Sequence, residues 1–252
     1  MRLADALSLS TLELVAFVGA GGKKTAMGRV VDETDAADLR AGYTTTTHAP
    51  PPAYPLVLAD PDRLDGQLDR IGASPIAFAR EHVPDPDRAA TKVRGFAPGV
   101  IDRIFRSDRF DRLCVKADGA RRRGFKAPGP DEPAIPHAST TVVPVASVGV
   151  VGDPLDEERV HRVERVATLT GLARGERLTA DAIGRVLAHP KGGLQGVPAS
   201  ARVVPLVNQA DTADDRRTAR AVFAAAFART DRFDRGIVAS LRNDTIAVVE
   251  AR

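Results

Sequence analysis

The 252-residue chain has no tryptophan, a single cysteine and few aromatic residues, 4% in all. Each shortage excludes something. With so few aromatic faces, the chain offers no stacking platform for single-stranded nucleic acid. One cysteine, Cys114, makes neither an internal disulfide nor a cysteine-rich zinc site, which fits a reducing compartment. It lies within an apolar run and reads as a small buried hydrophobe rather than a nucleophile. An excess of one charge is also lacking: 36 Lys and Arg stand against 33 Asp and Glu, and a net charge of +3 is too small to argue for DNA binding. No apolar run approaches the ~18 residues of a membrane span, and the opening "MRLADALSLS" has no apolar signal core. The expectation is a cytoplasmic protein that engages neither nucleic acid nor membrane.

What the chain does have is alternation. Short Val- and Ile-rich runs are predicted as strands near 14–18, 43–47, 55–58, 76–80, 112–117, 141–148, 202–207, 236–241 and 246–250. Helical patterns fall between them at 23–32, 61–71, 98–106, 157–169, 179–188 and 212–230. Such alternation predicts an α/β fold, a mostly parallel sheet with helices on both faces. A single domain over 1–252 is expected, with long proline- and glycine-rich rim loops at 48–55 and 118–136.

The first strand runs into "GAGGKKT", and this stretch gives the fold its P-loop NTPase-like reading. Gly19, Gly21 and Gly22, with Ala20 between them, can turn backbone N–H groups inward at a helix start and make an anion nest. Lys23 would then reach a β- or γ-phosphate. The pattern G-x-x-x-x-G-K-[ST] does not fit, because its first glycine falls on Phe17; the shorter G-x-x-G-K does, and resembles the nucleotide loop of Mur-type ligases. A dinucleotide fingerprint fails at Lys24. The alternative is a glycine turn that packs strand against helix. Lys24 stands where a magnesium-binding hydroxyl is expected, and an ammonium group has no lone pair to offer. Either Thr25 supplies the hydroxyl one residue later, as in folylpolyglutamate synthases, or Lys24 lends its charge to the phosphates, or it faces solvent.

In a parallel sheet the C-terminal strand ends share one rim, where ligands bind. There Thr45, Thr46 and Thr47 would sense the γ-phosphate, and Asp118 takes the place of a metal-supporting acid, with a turn aspartate before Gly119 as the alternative. Arg121, Arg122, Arg123 and Lys126 would bind phosphate or an acidic partner, or form a solvated loop. "NQAD" resembles a guanine-reading motif, so Asn208 and Asp211 would read the base and the nucleotide is ATP or GTP, leaning to guanine. Lys23 and Asp118 are thus the candidate catalytic pair. The candidate nucleotide contacts are Gly19 to Thr25, Thr45 to Thr47, Arg121, Lys126, Asn208 and Asp211, while Thr25 and Asp118 would hold Mg2+ if a metal is used. His48 reads as a loop residue, since no spacing supports zinc, and His161 with Arg162 would reach the rim or face water.

Taken in order, "VAFVGAGGK", "TTTTHAPP", "ADGARRRGFKAPGPDEPAIP", "VHRVE", "GGLQGVP" and "VNQAD" resemble the YqeC family across nearly the whole chain. That resemblance implies a P-loop-type nucleotide-binding accessory protein for maturing selenium-dependent molybdenum hydroxylases, whose partner is such a hydroxylase or its cofactor-maturation proteins. Two positions depart from the family pattern: Lys24 replaces a Thr and Lys116 a Glu. One accommodation pairs Lys24 or Lys116 with Asp118 and predicts weak magnesium dependence. The other is a member that binds nucleotide as a signal without hydrolysing it. Three activities follow from these residues: a nucleotide-binding accessory factor with slow NTPase activity, a small-molecule kinase or ligase acting on an anionic substrate, and a non-hydrolysing partner-docking module.

Overall fold

Strands buried on both faces need continuous apolar runs rather than alternating ones, and the central strands of this protein have them. The computed structural model of the chain describes residues 1–85 and 90–251. Its strands are β1 Glu13–Gly19, β2 Ala41–Thr45, β3 His48–Ala49, β4 Leu56–Leu58, β5 Ile76–Ala79, β6 Glu81–Pro84, β7 Thr91–Arg94 and β8 Arg112–Lys116. They continue with β9 Phe125–Lys126, β10 Thr141–Ser147, β11 Val160–His161, β12 Arg202–Val203, β13 Leu206–Asn208, β14 Arg235–Ser240 and β15 Thr245–Glu250. The helices are α1 Leu3–Ala6, α2 Lys23–Asp35, α3 Leu64–Leu68, α4 Pro98–Phe105, α5 Val163–Thr170, α6 Ala180–Ala188 and α7 Ala213–Phe227.

The main sheet runs β15-β14-β13-β10-β1-β8-β2-β5-β4, with β12 added beside β10. Every pairing in it is parallel except that of the edge strand β15 with β14. β1 lies centrally between β8 and β10, so the loops that follow these three strands meet at one edge. One face is covered by α1 and α2, through Leu3, Met27 and Val30 packed on Phe17, Val143 and Ile237. The opposite face is covered by α5, α6 and α7 over Val207 and Val238, and by α4 over Leu14, Leu113 and Val115. Among the described residues, no helix is long and apolar enough to cross a membrane.

Local chemistry sets the helix starts. Thr179 Oγ1 accepts the Ala182 N–H at 3.0 Å, and Thr212 forms a reciprocal capping box with Asp215. Four expectations need correction. The helix predicted at 61–71 is confined to Leu64–Leu68. The one predicted at 157–169 begins at Val163, because Val160 and His161 leave the helix to pair with Phe125 and Lys126. The strand predicted at 202–207 breaks at Pro205, which has no N–H to donate to a ladder. The segment from His48 to Arg94 also contributes a small antiparallel sheet, β3-β7-β6, whose short strands carry no periodic signal.

Candidate functional site

β1 ends at Gly19, and the next three residues reverse the chain into α2. Gly19, Gly21 and Gly22 have φ of +88°, +83° and +117°, a region that side-chain-bearing residues rarely adopt. Space is equally restrictive. A Cβ on Gly21 would lie 2.3 Å from the Ser147 nitrogen, and one on Gly22 would lie 2.3 Å from Asn208 Nδ2. The buried Ala20 donates its N–H to the Val145 carbonyl at 2.8 Å, and Asn208 Nδ2 donates to the Gly21 carbonyl at 3.1 Å, so the loop is clamped to β10 and β13. Beyond these clamps, the N–H groups of Gly21, Gly22, Lys23, Lys24 and Thr25 have no partner among the described residues, and no side chain caps the helix. Unpaired N–H groups and the positive end of a helix favour an anion.

Lys23, the first helical residue, is 5% exposed. Its ammonium donates to the Gly19 carbonyl and lies 3.0 Å from Asp118 Oδ1. Asp118, two residues past β8, is 2% exposed. Its Oδ2 accepts the Gly19 N–H at 2.8 Å and sits 2.9 Å from Lys126 Nζ. Lys126 also donates to the Gly119 carbonyl at 2.6 Å and to Glu132 Oε2 at 2.8 Å, which uses all three of its protons. Glu132 in turn accepts from Arg162 at 2.7 Å. A chain of ion pairs thus runs from the glycine loop through Asp118, Lys126 and Glu132 to Arg162.

Electrostatics follow from this burial. Burial acts to raise the Asp118 carboxyl, but Lys23, Lys126 and the Gly19 N–H outweigh it and hold the group below the usual carboxylate range. Burial draws the Lys23 ammonium down, with Asp118 opposing. At Glu132 burial is again outweighed, here by Arg162 and Lys126, leaving a value of about 2. Lys116 is depressed to about 7 by burial and by the nearby Lys23. His161 is lowered to about 4 by burial and by Arg162, Lys126 and Arg121, and is therefore neutral at neutral pH.

The structure brings Gly19 to Lys23, Asp118 and Lys126 together, and it corrects the pairing expected for Asp118. Its partners are Lys23 and Lys126, whereas Lys116 donates to the His48 carbonyl at 3.0 Å and Lys24 is exposed with no ion-pair partner among the described residues. Thr25 is exposed in the first turn of α2. The threonine hydroxyls are partly committed: Thr44 donates to the Phe78 carbonyl and Thr45 to that of Lys116, while the Thr46 hydroxyl is buried without a hydrogen bond and Thr47 is half-buried. Arg121 and Arg122 are exposed at φ of +44° and +65°, and among the described residues no carboxylate pairs with either or with Arg123. Asn208 is 5% exposed and also accepts the Leu241 N–H, so both ends of its amide are occupied. Asp211 is exposed and accepts from the Ser240 hydroxyl. Cys114 is fully buried, and burial pushes its thiol up.

A divalent cation at such a loop would need Thr25 and Asp118. Asp118 does not fit that role as built, because ammonium groups flank both its oxygens. Among the described residues, no group of three or more His, Cys, Asp or Glu could hold a metal.

Two residues escaped sequence reasoning. Glu132 supplies the counter-charge for Lys126 and Arg162, and Gln195 pins its loop by donating to the Gly129 carbonyl at 2.6 Å and to that of Glu132. Both lie in stretches noted above, "GPDEPAIP" and "GGLQGVP", but nothing local in sequence says that the two loops touch.

Comparison with known proteins adds two findings. The family model described as "YqeC protein" matches residues 15–164. An Escherichia coli (strain K12) protein named "Uncharacterized protein YqeC" is 32% identical over 199 residues, covering 78% of this chain and 75% of that protein. No solved structure matches.

Proposed function

This chain belongs to the YqeC family, and on that basis we propose that it is a P-loop-type nucleotide-binding accessory protein for the maturation of selenium-dependent molybdenum hydroxylases. One observation carries the nucleotide part: five backbone N–H groups, from Gly21 to Thr25, without a partner among the described residues, open α2 beside the buried Lys23 ammonium. A polyphosphate satisfies those donors and draws Lys23 off the Gly19 carbonyl. Holding the nucleotide is better supported than cleaving it. A carboxylate held low between two ammonium groups is a poor general base, so Asp118 acts as an electrostatic anchor for Lys23 rather than a proton acceptor. Family resemblance supports the partner, and Arg121 and Arg122, exposed and without a carboxylate partner among the described residues, support docking to an acidic surface at the same rim.

Thermal unfolding with ATP and with GTP tests the proposal. Ligand at ~100 times its Kd adds ~2.7 kcal/mol, a rise of roughly 5–10 °C for a chain of this size. Lys23→Met removes the shift, and nucleotide strengthens association with the hydroxylase. If neither nucleotide moves the midpoint, the glycine loop is a structural turn and the proposal fails.

A further inference from the structure

The environment of Asp118 bears on what accompanies the phosphate. In phosphate loops a divalent cation is held by the hydroxyl after the loop lysine and by the carboxylate that ends the neighbouring strand. Here the first position is Lys24, which offers only donors. The second, Asp118, has Lys23 3.0 Å from one oxygen and Lys126 2.9 Å from the other, and both ammonium groups are buried. A metal ion bound to that carboxylate would be driven against two like charges in a poorly solvated site.

We infer that this chain binds its phosphate ligand without a divalent cation, the fixed ammonium of Lys126 taking the metal's electrostatic place. The inference rests on the reading that Gly19–Thr25 is a phosphate site. Lys126 suits the role because it cannot swing away: its three protons go to Asp118, Gly119 and Glu132, and Arg162 and Gln195 hold Glu132 and its loop. Charge balance points the same way. Lys23, Lys126 and Arg162 form a network of ion pairs in which, among the described residues, the carboxylates are Asp118 and Glu132. Three cations against two anions leave a positive surplus that a free polyphosphate neutralises better than one already carrying magnesium.

Calorimetric titration with inorganic tripolyphosphate, ATP and GTP, each in EDTA and in excess magnesium, tests this. The expected result is binding in EDTA that magnesium leaves unchanged or weakens. Binding that tightens by more than ~3-fold in magnesium overturns the inference and leaves the phosphate site standing. No binding of any probe in either condition overturns both. Lys126→Met is expected to lose binding in EDTA and regain it in magnesium, since the Oδ2 side of Asp118 then has no ammonium beside it and can meet a cation; equal loss in both conditions counts against Lys126 as the substitute. The wild-type titration decides the matter even if that variant does not fold.

Discussion

Replacing Glu132 by glutamine keeps the side chain's shape and removes its charge from between Lys126 and Arg162. In the folded protein those two cations lower the carboxyl from its ordinary 4.5 to about 2. Such a depression corresponds to at most ~3 kcal/mol. The side chain is 30% exposed, so solvent screening reduces this to roughly 1–2 kcal/mol. Because the folded value is depressed, the contribution is complete above pH 4.5 and is lost as pH falls towards 2. Urea unfolding of wild type and Glu132→Gln at about pH 7 and pH 3 reads this directly. The wild type should be more stable by roughly 1–2 kcal/mol at neutral pH, and the gap should shrink by more than half at the lower pH, where the unfolded chain takes up a proton on Glu132 that the folded protein does not. Other carboxylates titrate equally in both proteins and cancel. A gap that is the same at both pH values would refute the assignment of Glu132 as the counter-charge for Lys126 and Arg162.

Three further outcomes are expected. Asp118→Ala leaves the Lys23 ammonium buried without a carboxylate and Lys126 with Glu132 as its one remaining counter-charge among the described residues, which should cost about 3–5 kcal/mol in chemical unfolding; a loss under ~1 kcal/mol would mean that Lys23 reaches water. Lys116→Met should stabilise the protein by roughly 1–3 kcal/mol at pH 7 and below, where burying the charged lysine is costly, and the gain should fade above pH 7 as the folded-state ammonium loses its proton; a gain that persists at high pH would point to packing instead. Gly21→Ala drives a Cβ into the backbone of Ser147 and Gly124 at a positive φ, so the midpoint should fall and the nucleotide shift disappear, whereas Gly119→Ala, with no atom near its Cβ position, should stay within ~0.5 kcal/mol of wild type.

Much of this protein was legible before any coordinates. Runs such as "LVAFVG" and "TVVPVAS" are apolar along their whole length, and only a strand covered on both faces suits them; they became β1 and β10 at the centre of the sheet. The glycines of "GAGGKK" were legible because a positive φ has a residue signature, and helix caps such as Thr179 because capping is local chemistry. Strands of two residues were not legible, since β9 and β11 exist only because each finds the other.

The sequence by itself determined the α/β alternation, the glycine turn before α2, and the family. All three rest on local conformational preference or on patterns along the chain. Only the tertiary structure decided where the charges go. One of the two accommodations read from the sequence paired Lys24 or Lys116 with Asp118, yet Lys126, eight residues beyond it, took that place because β11 pairs with β9 and Gln195 holds the loop that carries Glu132. Ion pairing depends on separation in space and on burial, both set by how distant loops pack, and neither can be read along the chain.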